Sequence, residues 1–181
     1  TARKLTVLFS DIVDSTGLAE RLGAEGFGEL LSRYYQEMTA IIFEFGGMLD
    51  KYMGDGLMAV FGMNPSQTEP EIQAVSAGLK MLERLKTNLR ENGTSIEIGV
   101  GINTGLVVAG YVGTAERVEF TVLGDAVNVA HRLETLARPN RLVIGPMTAA
   151  SVADRFIIQR LGGLEVKGRS QAVQAHEVLP K

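Results

Sequence analysis

With 181 residues, 45% of them hydrophobic and 22% charged, the chain suits one domain with one sizeable core. A formal net charge of −3 argues against a nucleic-acid binder, and the lack of cysteine excludes disulfides and thiolate metal sites. No apolar run approaches the ~20 residues that cross a bilayer, so no membrane contact is expected of this domain. No signal peptide precedes the first strand, and a cysteine-free composition fits a reducing, cytoplasmic setting. The chain opens Thr1-Ala2-Arg3-Lys4 without an initiator Met, and reads as a domain cut from something longer.

Residues 5–12 form an apolar run that predicts a buried strand ending in Asp11-Ile12. Asp14-Ser15-Thr16 can cap a short helix through Leu22. Phe27, Leu30, Leu31, Tyr34, Met38, Ile41, Ile42 and Phe45 then recur at helical spacing, and Gly46-Gly47 ends that helix. A hairpin over 48–63 follows. Thr68, Pro70 and Glu71 open a third helix with a capping box, and its stripe runs from Ile72 to Leu89 before Asn92-Gly93. Alternation predicts a strand over 95–109 and another over 116–123. A helix over 125–137 stops before Pro139. Strands at Leu142–Ile144, 156–161 and 174–179 and a short helix Pro146–Val152 complete the chain. The first half has the split βαβ, ferredoxin-like order βαββαβ, so an α+β palm-like core with extra C-terminal strands and helices is expected, all one domain over 1–181.

Asp11 and Asp55 both lie where an apolar strand meets a loop, and Asp55 sits in Gly54-Asp55-Gly56. A lone acid at a strand end usually caps a turn. Two on adjacent strand ends repel each other unless a cation lies between them, and Mg²⁺ or Mn²⁺ takes oxygen ligands. A pair of such ions is the usual machinery for displacement at phosphorus, so metal binding is preferred here. The loop Ile12-Val13-Asp14-Ser15-Thr16 enters a helix whose positive end can hold a triphosphate or simply be capped. Lys51 stands in the apolar hairpin; it either snorkels to water or donates to purine N1, and a donor suits adenine, not guanine. Asn128 and Arg132 share a polar helix face, read as a solvated face or as a ribose and transition-state contact. Lys167 and Arg169 form a basic turn that offers cations to outer phosphates or to water. His131 and His176 lack partners at metal-ligand spacing and read as structural; the seven Met read as core filler.

Taken together, Phe9-Ser10-Asp11-Ile12, Gly46-Gly47 through Lys51 to Phe61, Gly101-Ile102-Asn103-Thr104-Gly105, Val127 to Leu133 and Val166-Lys167-Gly168 make the chain resemble the class III adenylyl/guanylyl cyclase catalytic domain. The resemblance runs from about Lys4 to about Val178. It implies conversion of ATP to 3′,5′-cyclic AMP and pyrophosphate. It implies two divalent cations, Mg²⁺ or Mn²⁺, on Asp11, Asp55 and Ile12. Lys51 and Thr121 would select the purine, Asn128 and Arg132 would carry the catalytic contacts, and Lys167 the triphosphate. It also implies a head-to-tail homodimer with two shared sites. Thr121, where many members have Asp, looks like the subclass that includes bicarbonate-responsive cyclases, making bicarbonate an effector candidate. Gly99 departs from relatives that place a phosphate-binding Arg there. Two rival readings are a non-catalytic regulatory copy, which usually lacks an acid or the Asn/Arg pair, and a diguanylate cyclase, whose Gly-Gly-Asp/Glu-Glu-Phe signature Met53-Gly54-Asp55-Gly56-Leu57 matches poorly.

Overall fold

A computed structural model describes residues 2–88, 90–91, 94–166, 168 and 171–180. Lys167 and Arg169, expected near phosphates, lie outside the described residues, as do Leu89 and the Asn92-Gly93 stop. The elements are β1 (Ala2–Ile12), α1 (Ser15–Glu44), β2 (Met48–Met53), β3 (Gly56–Phe61), α2 (Pro70–Asn88), β4 (Arg90–Glu91), β5 (Thr94–Ser95), β6 (Ile98–Gly113), β7 (Val118–Leu123), α3 (Asp125–Leu136), β8 (Leu142–Ile144), α4 (Pro146–Val152), β9 (Ile157–Leu164) and β10 (Val173–Leu179). The main sheet runs β2-β3-β1-β6-β8-β10-β9, with β7 paired to β6. Its first four strands realise the expected split βαβ arrangement, antiparallel throughout, and β8 continues it in parallel to β6.

Strand β1 is buried on both faces, which is why it reads as an unbroken apolar run rather than an alternating one. Leu8 and Ile12 point into a core with Leu30, Tyr34, Met38, Ile41 and Ile42 of α1 and Met81 and Leu85 of α2. Leu5, Val7 and Phe9 point the other way, onto Met58 and Val60 of β3 and Ala126 and Ala130 of α3. Each buried Leu, Ile, Val, Phe or Met among them contributes about 1.5–3 kcal/mol by leaving water. Helix α1 is two helical pieces joined at Gly23, which takes φ 75°, ψ 168°; the break falls after Leu22, where the capped short helix was expected to end.

Several strand ends differ from the sequence reading, β1 starting at Ala2 and β7 at Val118 among them. The strand expected over 95–109 begins at Ile98 and continues to Gly113, because β6 pairs first with β1 and then, beyond Val108, with β7. Thr94–Ser95 pairs instead with Arg90–Glu91. The strand expected over 156–161 runs on to Leu164, held by β10. No helix among the described residues is long and apolar enough to cross a membrane.

Candidate functional site

Asp11, next to last in β1, stands opposite Gly56 of β3 on one side and Gly99 of β6 on the other. The Ile12 N–H donates to the Asp55 carbonyl at 2.9 Å, so both aspartates stand at one end of the sheet. The glycines of Gly54-Asp55-Gly56 each have a reason. Gly54 turns the hairpin at φ 62°. At Gly56 any Cβ would overlap the Asp11 carboxylate. From the opposite face, the buried Tyr34 hydroxyl donates to the Ser10 carbonyl at 3.1 Å and lies 2.7 Å from Ser10 Oγ, pinning the residue before Asp11. The Ser15 hydroxyl donates to the Asp55 carboxylate.

Around Asp11 lies a cluster that the sequence reading missed. Arg138 Nη2 donates to Asp11 Oδ2 at 3.1 Å. The same guanidinium grips Glu134 in two bonds, Nε to Oε2 at 2.7 Å and Nη2 to Oε1 at 3.0 Å. Glu134 is fully buried, and burial pushes its carboxyl up to about 7 against the pull of Arg138. The Arg138 guanidinium is held protonated beyond its ordinary range by Glu134 first, and by the charges of Asp11 and Asp55. His131 packs edge-on against Phe9 and sets Nε2 3.8 Å from Asp11 Oδ2, so the structural reading of this histidine omitted its approach to the acid. Asp11, His131 and Glu134 are close enough to share one ion. Gly99 is glycine because a Cβ there would strike Glu134 and Arg138. The cation beside Asp11 thus comes from position 138. The signal was present: Glu134 extends the buried Ala126–Ala130 spacing, and Arg138 stands four residues on.

The loop into α1 is partly committed. Ile12 N–H serves Asp55, and Val13 N–H donates to the Glu97 carbonyl at 2.8 Å. Asp14, at φ 54°, caps α1 by accepting from Gly17 N–H. An anion at this end would therefore face the first turn at Ser15 and Thr16, next to the Asp14 carboxylate.

Lys51 and Thr121 come together through Asp50, also missed. Leu49 pairs with Ala59 and Lys51 with Met58, which leaves Asp50 as the extra residue of a β-bulge. The Thr121 hydroxyl donates to Asp50 Oδ2 at 2.8 Å, and Lys51 Nζ lies 3.7 Å from the same oxygen. Burial raises the Asp50 carboxyl, while Thr121 and Lys51 draw it back down. Asp is scarce in strand interiors, and that was the available signal.

Asn128 and Arg132 are exposed on α3 and make no side-chain hydrogen bond or ion pair among the described residues. Arg132 precedes Glu134 by two residues, about 200° around the helix, so it points away from the Asp11 of its own chain. A cavity of about 750 Å³, lined by Leu79, Leu82, Ile96, Arg141 and Phe156, contains none of these residues.

Residues 1–178 match the family model "Adenylate and Guanylate cyclase catalytic domain". The chain is 37% identical over 185 residues to the "Adenylate cyclase, terminal-differentiation specific" of Dictyostelium discoideum, covering 98% of this chain but only 9% of that protein. The crystal structure of the adenylyl cyclase CyaB from P. aeruginosa superposes with a TM-score of 0.92 at 34% identity, covering 100% of this chain and 96% of that one. The guanylate cyclase domain of RhGC from Catenaria anguillulae, solved in complex with GTP, superposes at 0.90 with 29% identity, covering 99% and 98%.

Proposed function

Since this chain belongs to the adenylate and guanylate cyclase catalytic domain family, we propose that it is a single catalytic domain that converts ATP to 3′,5′-cyclic AMP and pyrophosphate at sites shared by two head-to-tail copies. The observation that carries the shared site is the direction of Arg132. About 200° around α3 from Glu134, it is exposed and unpartnered among the described residues, which supports a second copy bringing acids and arginine together. An apolar surface supports that partner: Leu106, Val108, Tyr111, Val112, Val118 and Leu123 of the β6–β7 ribbon are all exposed large hydrophobics.

Two hard cations would sit at this end of the sheet. Asp11 and Asp55 carboxylates, with the Ile12 carbonyl, would hold Mg²⁺ or Mn²⁺, and His131 Nε2 adds a nitrogen beside Asp11. Ions bound there would make the ribose 3′-hydroxyl more acidic and neutralise the α-phosphate. The partner copy would bring Asn128 to the ribose and Arg132 to the charge that grows on phosphorus. Lys51 would donate to adenine N1 while Thr121 meets the 6-amino group. Lys167 and the turn at Ser15-Thr16 would steady the outer phosphates. Thr121 also aligns the chain with the bicarbonate-responsive subclass, so bicarbonate is a candidate effector.

The test is incubation of purified protein with ATP or GTP and Mg²⁺ or Mn²⁺, with and without bicarbonate, followed by chromatography of the products. Cyclic AMP from ATP, well ahead of cyclic GMP from GTP, is the expected result. Preferential cyclic GMP would move the chain to the guanylyl side, and neither product would favour a non-catalytic regulatory role.

A further inference from the structure

We propose that Asp50 is a positioning residue for purine selection, holding Thr121 as a hydrogen-bond acceptor by taking its only hydroxyl proton. The inference rests on the reading that Lys51 and Thr121 face the base. An ionised carboxylate accepts and cannot donate, so in the 2.8 Å contact Thr121 Oγ1 is the donor. A hydroxyl has one proton, and once that is spent on Asp50 only lone pairs remain to face outward. Adenine offers a 6-amino donor to such an oxygen, whereas guanine offers a 6-keto oxygen, which repels it. The neighbouring Lys51 donates to an unprotonated ring N1, again the adenine pattern.

Three features indicate a built arrangement. The β-bulge inserts Asp50 between the paired residues Leu49 and Lys51, which lets adjacent side chains meet at one point although a regular strand would send them to opposite faces. The Asp50 side chain is only 1% exposed, and its second oxygen, Oδ1, is buried without a hydrogen-bond partner among the described residues. Leaving a buried carboxylate oxygen unmatched is costly, and simple packing of β2 against β7 does not call for an acid there.

The experiment compares kcat/KM for ATP and for GTP in wild type, Asp50→Asn, Thr121→Val and the double variant, all checked for folding by circular dichroism and thermal melting. The Asn amide donates to Thr121 Oγ1 and frees the hydroxyl proton to face guanine. The ATP:GTP ratio should then fall by at least about tenfold, the worth of roughly one hydrogen bond, and the change should enter through KM. In the Thr121→Val background, Asp50→Asn should leave the ratio unchanged, because nothing remains to be oriented. A folded Asp50→Asn with wild-type selectivity overturns the inference while the cyclase reading stands. Should Asp50→Asn not fold, Thr121→Val decides: an unaltered ratio overturns the inference. A wild type that uses GTP as readily as ATP also overturns it, and a wild type that makes neither cyclic nucleotide removes the reading beneath it.

Discussion

Arg138 places Nη2 3.1 Å from Asp11 Oδ2 while the same guanidinium holds the buried Glu134, so one arginine neutralises two acids separated by 123 residues of chain. A buried carboxylate that loses its only cation is left uncompensated. Arg138→Ala should therefore destabilise the protein by about 3–5 kcal/mol, less whatever Glu134 recovers by taking up a proton. Adding Glu134→Gln should restore much of that loss. Urea melts of the two single variants and the double variant check it; additive losses would mean that the pair is not coupled.

The same burial gives a pH dependence. The Glu134 carboxyl rises from 4.5 to about 7 on folding, so the folded state binds its proton more tightly than the unfolded state does. Its contribution to stability is full below about pH 4.5 and falls as pH rises toward about 7. In metal-free buffer, the melting temperature of wild type relative to Glu134→Gln should decline across that window. A flat difference would contradict the assignment.

Gly56→Ala should damage the site more than an exposed glycine would. A methyl group there overlaps the Asp11 carboxylate, and the strand register leaves it no other direction. Overpacking of this kind costs about 1–3 kcal/mol. Mn²⁺ affinity, measured by calorimetry, should fall together with turnover. Gly54→Ala, with open space around it but φ 62°, should cost stability with a smaller effect on affinity.

Tyr34→Phe tests the support beneath the site. It removes the hydroxyl that lies against Ser10 Oγ and the Ser10 carbonyl in a fully buried position. The expected loss is about 1–3 kcal/mol, with activity reduced more than KM changes if the Ser10-Asp11 backbone loosens. Ser10→Ala/Tyr34→Phe should be milder than Tyr34→Phe alone, because the Ser10 hydroxyl is no longer left unpaired and only the Ser10 carbonyl loses its donor.

Asp55→Ala and Arg132→Ala should each abolish turnover. Mixed after exchange of subunits, they should recover about a quarter of wild-type activity, since half the dimers are mixed and each of those has one intact site. No recovery despite demonstrated mixed dimers would place acids and arginine in one chain.

How much could be read before folding follows from where each signal lies. The βαββαβ order, the helix stripes at Leu30, Tyr34, Met38 and Ile42, and the two strand-end aspartates are local patterns of period and punctuation, and the sequence by itself determined them. The length of β6 was not legible, because its last residues are strand only through pairing with β7. Nor were Asp50 and Arg138, whose meaning is a contact with Thr121 or Asp11 far along the chain. A carboxylate in a strand or an arginine after a helix looks like any solvated charge until tertiary packing removes the water. Burial then makes each need a partner, and only the folded chain decides which partner is within reach.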